Sequence, residues 1–116
     1  MKVRNTRTDG LLVSQLEKAN SFFSRLRGLI GRKSLASGHG FLIPRCGNSI
    51  HTFFMKFPID LVFINRKGFV KHIRHKVKPW RLVIAPILGS TDCIELPAGT
   101  AKAKGLKLGD RLRVEA

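Results

Sequence analysis

Short apolar segments alternate with turn residues along most of the chain. Runs of this length, rich in Val, Ile, Leu and Phe and bounded by Gly, Pro, Asn or Asp, are typical of β-strands. Asp9-Gly10 predicts a hairpin turn or a strand-loop-strand, and Asn65 to Gly68 predicts the turn of a second hairpin. The pattern therefore predicts strands at residues 2–5, 11–16, 41–43, 49–55, 59–64, 69–77, 93–96 and 111–114, and a strand at 82–86 that Pro86 limits.

Two segments have the spacing of short helices instead. Apolar residues from Phe22 to Leu29 fall on one helical face, and Gly31 follows as a C-terminal signal. Residues 100–104 suit one or two helical turns, with Gly105 beyond their end. Many short strands with one or two brief helices predict a mainly β protein, either a β-sandwich or a distorted β-barrel. The 116 residues suit a single domain, which can bury a core without a metal or a disulfide.

The balance of charges adds a second constraint. The chain carries 22 Lys and Arg residues against 7 acids, which gives a net charge of +15. From Lys18 to Thr91 there are fourteen cationic side chains and one acid, Asp60. Most of these cations have no acid to pair with, so the surface must carry a positive potential that attracts nucleic acid, acidic proteins or anionic lipid. The alternative is a solvated basic surface with no specific partner.

The start of the chain and its cysteines bear on the cellular compartment. Met1 to Asn5 is basic but is followed by polar residues, so the sequence predicts no signal peptide. No apolar stretch is long enough to span a bilayer, and we expect a cytoplasmic protein. Cys46 and Cys93 would then be thiols, and the absence of a Cys-x-x-Cys pair argues against a zinc ribbon. Oligomeric state stays open.

The residues from Asn48 to Ile64 place polar side chains among apolar ones, around a corner at Pro58. Such side chains either satisfy buried backbone groups or face a pocket. We expect His51, Met55 and Asp60 to line a cleft. Its rim would carry Arg27, Arg32 and Lys56, and an anionic ligand would fit this charge best.

Other roles stay open for the same segment. Cys46 and His51 could bind a soft metal, with Met55 adding a thioether, or could form a nucleophile and its base. Their spacing matches neither motif, so we expect Cys46 and Met55 to fill the core and no cofactor to be required. For Asp60, the favoured structural role is pairing with an Arg or accepting backbone N–H groups near the corner.

A third candidate is the basic segment from Arg66 to Arg81, which has seven Lys or Arg residues and no acid. Basic strands with interleaved aromatic residues can follow a phosphate backbone and stack bases. The polyanion contacts would be Lys71, Arg74, Lys76, Lys78 and Arg81. The cations do not alternate cleanly, which requires either a bulge or two partly wet faces. A solvated edge strand, in which Lys residues prevent aggregation, is the favoured alternative.

Three blocks of the sequence together resemble a known family. They are Arg27-Gly28-Leu29-Ile30-Gly31-Arg32, Ile50-His51-Thr52-Phe53-Phe54-Met55 with Phe57-Pro58-Ile59-Asp60, and Glu95-Leu96-Pro97-Ala98-Gly99-Thr100 with Gly109-Asp110. Their order and content are similar to domain-of-unknown-function family number 192, also called uncharacterised protein family number 0127. The resemblance implies a compact β-rich domain and supplies no activity, substrate or catalytic residue.

The sequence leaves three hypotheses about function. The leading one is a small non-enzymatic binding or accessory protein with an anionic ligand near His51 to Asp60. The second is an unrecognised hydrolase or metal-dependent enzyme that uses Cys46, His51 and Asp60. The third is a nucleic-acid-binding module that uses the basic segment at 66–81.

Overall fold

Ten strands and one short helix occupy the part of the chain that this computed structural model describes, residues 1–19 and 32–116. The helix predicted at Phe22 to Leu29 lies outside these residues, as does Arg27. The strands are β1 (Lys2–Asn5), β2 (Leu11–Val13), β3 (Gln15–Lys18), β4 (His39–Ile43), β5 (Ser49–His51), β6 (Ile59–Ile64), β7 (Val70–Val77), β8 (Leu82–Ile84), β9 (Asp92–Pro97) and β10 (Leu112–Glu115), and helix α1 is Thr100–Ala103.

The strands form three sheets. A central sheet has the order β3-β4-β9-β6-β7, in which β3 and β4 are parallel and the other pairs are antiparallel. A second sheet has the order β10-β1-β2, and β5 and β8 form a separate two-stranded ribbon. Within residues 1–19 and 32–116 no sheet closes into a barrel, so the mainly β fold is of the sandwich-like kind.

The central sheet is buried on both faces, which explains why β6 is a continuous apolar run. Val62 and Ile64 pack on one side, in a core shared with the β10-β1-β2 sheet and helix α1. Leu61 and Phe63 pack on the other, in a second core that includes Val83 of the ribbon. Because successive side chains of a strand point to opposite faces, even-numbered and odd-numbered residues of β6 belong to different sides of the protein.

The observed elements confirm the predicted order of strands, with two local differences. The predicted strand at 11–16 breaks at Ser14 into β2 and β3. The predicted strand at 49–55 stops at His51, because the chain turns and Phe54 adopts a left-handed φ of 65°. The hairpin of β6 and β7 is confirmed.

Strand β7 lies at an edge of the central sheet, as the solvated-edge interpretation requires. Its register against β6 shifts twice, opposite residues 59–61 and 63–64. Lys76 lies at the first shift with a φ of 49°. These bulges are the irregularity that the non-alternating cations of the basic segment predict, and they turn most of its charged side chains outward.

Among the described residues, no helix is long and apolar enough to cross a membrane.

Candidate functional site

Asp60 is a buried structural anchor. Its side chain is fully buried, and its Oδ1 accepts the N–H of Lys76 at 2.9 Å and that of Gly99 at 3.1 Å. Its Oδ2 accepts the N–H of Ala101 at 2.9 Å. The carboxylate thus ties the bulge of β7 to the start of helix α1, whose own N-cap residue offers no side-chain acceptor. Accepting backbone N–H groups is one of the two structural roles predicted for Asp60.

The structure does not bring Asp60 together with the other predicted cleft residues. As an even-numbered residue of β6, Asp60 faces helix α1, whereas Met55 is 5% exposed in the core on the opposite side of the sheet. His51 is exposed on the ribbon, and its Nδ1 accepts the N–H of Phe53 at 3.2 Å. The central sheet therefore separates Asp60 from Met55 and His51, and the expected cleft between the three does not form.

The predicted cationic rim is also dispersed. Arg32 forms an ion pair with Glu17, with an Nη2–Oε2 distance of 2.8 Å, and its guanidinium lies 5.9 Å from the ring centre of Phe41. The hydrogen bond from Arg32 lowers the pKa of the Glu17 carboxyl. Lys56 is exposed, and Arg27 lies outside the described residues. Among the described residues of the predicted rim, Lys56 is the cation that forms no ion pair.

The two cysteines are neighbours in the second core. Cys93 is fully buried, and Cys46 packs against the same cluster of side chains. Burial raises the pKa of the Cys93 thiol well above its usual value, and a hydrogen bond with the Cys46 thiol makes the next largest contribution. Because the thiolate is the reactive form, Cys93 is held in its unreactive state at neutral pH.

The described residues do not support the hypothesis of a metal site. Within the described ranges, no group of three or more His, Cys, Asp or Glu side chains is placed to hold a metal ion. The weak metal candidates Cys46 and His51 point respectively into the second core and onto the surface of the ribbon.

Glu95 is an ionisable group whose position the sequence alone did not predict. It lies on β9 between Phe41 of β4 and Leu61 of β6, and 4% of its surface is exposed. Burial raises the pKa of its carboxyl to about 8, so it is largely protonated at neutral pH. Glu95 therefore adds no anion to the surface, and the charge imbalance of the chain is greater than its composition indicates.

The most unusual feature is a group of exposed apolar side chains on the ribbon and the loops beside it. Phe54 is 61% exposed and Trp80 is 56% exposed, and their ring centres lie 4.5 Å apart. Phe53 stacks between Trp80, at 6.2 Å, and His51, at 4.9 Å. We refer to this group as the aromatic surface, and it comprises His51, Phe53, Phe54, Trp80, Leu82 and Ile84.

The two aliphatic members come from the pairing of β5 with β8. Leu82 lies opposite His51, and Ile84 lies opposite Ser49, while Val83 between them points into the core. Leu82 and Ile84 are each 60% exposed. The ribbon thus buries one face against the central sheet and leaves an apolar face open.

Buried Thr52 holds the two aromatic loops together. Its N–H donates to the carbonyl oxygen of Arg81 at 2.8 Å, and its carbonyl oxygen accepts the N–H of Trp80 at 2.9 Å. Its hydroxyl donates to the carbonyl oxygen of Lys78 at 2.7 Å and accepts the N–H of Arg81 at 2.9 Å. These four bonds fix the loop of residues 52–54 against the loop of residues 78–81.

In the two loops joined by Thr52, Phe54 and Trp80 have an unfavourable backbone conformation. Phe54 has a φ of 65° and Trp80 a φ of 64°. A bulky side chain in this left-handed region costs about 1–2 kcal/mol, and such strain persists only where the surrounding structure imposes it. Here the conformation turns two apolar rings toward solvent, which is the reverse of what folding alone would favour.

Cations flank the aromatic surface along the chain. Lys78 and Arg81 are exposed in the loop of residues 78–81, and Lys56 is exposed two residues after Phe54. The acid nearest to Lys56 in sequence, Asp60, is buried on the other side of the sheet. Of the predicted polyanion contacts, Lys78 and Arg81 lie beside the aromatic surface, whereas Lys71, Arg74 and Lys76 follow the edge strand β7. The structure therefore combines parts of two sequence candidates, the His51 segment and the end of the basic segment.

The members that sequence reasoning missed are Phe53, Phe54, Leu82 and Ile84. An apolar residue in a strand-like segment is predicted to be buried in the core. The segment itself does not show which of its residues the turn at 52–54 leaves exposed. The Phe53-Phe54 doublet and Pro79-Trp80 were the available signals, because bulky aromatics at turns are uncommon.

Fold and site together define a small mainly β protein with a strained, cation-flanked aromatic surface. The profile of the family described as Uncharacterized ACR, domain-of-unknown-function family number 192, matches residues 3–114. The chain belongs to this family, which confirms the resemblance seen in the three sequence blocks.

Relatives carry the same family assignment. The chain is 32% identical over 97 residues to a protein of uncharacterised protein family 0127 from Thermococcus sibiricus, which covers 81% of this chain. The match spans 62% of that relative's length. A second member, from Pyrococcus furiosus, is 33% identical over 97 residues, covering 81% of each chain.

Two solved structures share the fold. A protein of unknown function from Novosphingobium aromaticivorans superposes with a TM-score of 0.86 at 23% identity, covering 98% of this chain and 84% of its own. A protein from Sinorhizobium meliloti, described as a candidate transcription regulator, gives a TM-score of 0.83 at 24% identity, covering 97% of this chain and 89% of its own. At these identities the likeness establishes the fold.

Proposed function

We propose that this protein is a non-enzymatic binding protein whose partner is a single-stranded nucleic acid, held on the aromatic surface. The observation that carries the proposal is the pair Phe54 and Trp80, two exposed rings in contact, each kept in a left-handed backbone conformation. Strain that exposes apolar rings is retained where it serves recognition.

The chemistry of such a partner uses both features of the surface. Bases stack on aromatic rings whatever their sequence, and each stacked base contributes about 1–3 kcal/mol. Lys78 and Arg81 lie on either side of Trp80 in the chain, and Lys56 lies two residues after Phe54. These cations would contact the phosphates, whose counterions are released on binding. Neither feature alone requires a nucleic acid, but together they favour it over a small anion, which has no base to stack.

The ionisable groups support binding rather than catalysis. The oxygens of Asp60 already accept three backbone N–H groups, and Cys46 packs against the second core whereas His51 is exposed on the ribbon. The fold neighbour from Sinorhizobium meliloti, described as a candidate transcription regulator, is consistent with a nucleic-acid partner.

Trp80 gives a direct readout, because it is the only tryptophan in the chain. Titration with short single-stranded RNA and DNA should quench its fluorescence, and the affinity should fall steeply as salt is raised. In an anisotropy assay with labelled oligonucleotide, Trp80→Ala should weaken binding about tenfold, the value for one lost stacking contact.

The matched control is Leu108→Ala, because Leu108 is 65% exposed and lies outside the aromatic surface. Its affinity for the oligonucleotide should equal that of the unmodified protein. Equal affinities of the Trp80→Ala and unmodified proteins would overturn the proposal, as would binding that does not depend on salt. Binding to anionic vesicles or acidic peptides without binding to oligonucleotides would assign the surface to a different partner and reject the proposal.

A further inference from the structure

A second concave surface lies away from the aromatic surface, between strand β10 and the turn that joins β6 to β7. It is a groove of about 560 Å³. This volume lies within the range typical of small-molecule sites. None of its lining residues belongs to the aromatic surface, so a ligand in the groove is independent of the nucleic-acid partner proposed above.

The floor of the groove is apolar. It is the edge of the core shared by the central sheet and the β10-β1-β2 sheet, where Leu42, Ile64 and Leu112 are 6–8% exposed, and Val114, which is 47% exposed, extends it. The buried floor residues are Leu42, Ile64, Ile94 and Leu112. An apolar floor next to solvent favours a ligand with a hydrocarbon part.

The rim of the groove is cationic. Arg66, Lys67, Arg111 and Arg113 line it, together with one carboxylate, Asp92. Arg113 is engaged by Glu115 at 2.8 Å, and Arg111 donates to the carbonyl oxygen of Lys67 at 3.2 Å. Arg66 and Lys67 form no ion pair with any described residue, so their charges are available to an anion.

The turn that carries these two cations is rigid. The Oδ1 of Asn65 accepts the N–H of Lys67 at 3.0 Å and that of Phe69 at 2.9 Å. Gly68, with a φ of 89°, packs so closely on β10 that a Cβ atom there would clash with the carbonyl oxygen of Leu112. The groove is therefore formed before any ligand arrives, which lowers the entropic cost of binding.

At one end the groove continues into a more polar recess. The two share Arg66 and Asp92, and the recess of about 410 Å³ adds Ser90 and Thr91. Arg66 lines both cavities and forms no ion pair with a described residue, so it offers a charge-assisted contact to an anionic head group at this junction.

We propose that this groove binds an amphipathic anion, a phosphate or carboxylate attached to a hydrocarbon chain. The chain lies on Leu42, Leu112 and Val114, and the head group lies at Arg66, where the groove meets the recess. A free phosphate would leave the apolar floor in water, and a neutral lipid would leave the cations without a partner. The amphipathic anion satisfies both.

The test compares three probes below their aggregation concentrations: n-octyl phosphate, n-octanol and inorganic phosphate. Amide and methyl chemical shifts of the isotope-labelled protein should move with n-octyl phosphate at Ile64, Ile94 and Leu112. Affinity for n-octyl phosphate should exceed that for each of the other two by about tenfold or more, because each lacks one of the two contacts. Equal binding of inorganic phosphate or n-octanol, shifts confined to other surfaces, or no shifts at all would each overturn the proposal.

Two double variants distinguish binding in the groove from attraction by the net charge of the protein. The double variant Arg66→Gln and Lys67→Gln should weaken n-octyl phosphate binding about tenfold. The control, Lys102→Gln with Lys104→Gln, removes the same charge from exposed positions on and just after helix α1 and should leave the affinity unchanged. Equal loss in both double variants would overturn the proposal, because it would mean that net charge alone attracts the probe. Trp80→Ala should leave octyl phosphate binding intact, so the outcomes for the two surfaces remain distinguishable.

Discussion

Two buried carboxyl groups on neighbouring strands of the central sheet have opposite surroundings. Asp60 of β6 faces helix α1 and accepts three backbone N–H groups. Glu95 of β9, paired with Leu61, faces the other core and has no hydrogen-bond donor among the described residues. The presence of an acidic residue in the sequence therefore does not reveal its surroundings, because the fold decides whether hydrogen-bond donors lie beside it.

The same contrast applies to apolar side chains. Phe63 of β6 is fully buried, while Phe54, nine residues earlier, is 61% exposed in a strained conformation. Groups that the fold satisfies, such as Asp60 and Phe63, account for stability. Apolar groups that the fold leaves exposed, such as Phe54 and Trp80, are the candidates for binding a partner.

The largest expected effect comes from Asp60→Asn. The amide nitrogen of Asn cannot accept a hydrogen bond, so at least one of the three backbone N–H groups faces a donor in a buried site. We expect the free energy of unfolding to fall by about 3 kcal/mol, measured by urea denaturation. The control is Asp9→Asn, an exposed position whose left-handed φ of 60° suits Asn, where the change should stay within about 0.5 kcal/mol. Similar losses in the two variants would contradict the anchoring role of Asp60.

Glu95→Gln should have the opposite sign and depend on pH. Because the pKa of the Glu95 carboxyl rises to about 8 in the folded state, the folded protein holds a proton that the unfolded chain releases above its ordinary pKa near 4.5. The contribution of Glu95 to stability is thus fully present below pH 4.5 and is lost as pH rises toward 8. The Gln variant lacks this loss, and we expect its free energy of unfolding to exceed that of the unmodified protein by roughly 2 kcal/mol at pH 6 and to match it near pH 4.

Glu17→Gln provides the matched control for this pH series. The Arg32 hydrogen bond lowers the pKa of Glu17, so its titration falls below pH 5 and no divergence between pH 5 and 9 is expected. If the stability curves of Glu95→Gln and the unmodified protein stay parallel over that range, Glu95 is not a desolvated acid in the folded protein.

The smallest expected effect is that of Phe54→Asn on stability. Asn tolerates the left-handed conformation, so relief of strain should offset the lost contact with Trp80 and leave the free energy of unfolding within about 0.5 kcal/mol. Phe53→Asn, without a positive φ to relieve, should cost about 1 kcal/mol in the same thermal or urea measurement. A larger loss at Phe54 than at Phe53 would show that Phe54 stabilises the fold and would weaken its assignment to recognition.

Much of the fold could be predicted from the chain because strand signals are local. The apolar run at 59–64 and the turn at Asn65 to Gly68 specify β6 and its hairpin with β7 without reference to any other segment. The site could not be predicted in the same way. His51, Met55 and Asp60 lie close in sequence, yet the sheet separates them, because neighbours along a chain can belong to opposite faces.

Composition, spacing and turn residues determined a mainly β domain, its strand order along the chain, its family and its excess of positive charge. The tertiary structure decided which acids accept hydrogen bonds from the backbone, which aromatic rings are exposed to solvent and which cations line a groove. The physical reason is that these properties depend on contacts between distant segments, such as Asp60 with Ala101 or Thr52 with Arg81. No local pattern encodes such contacts.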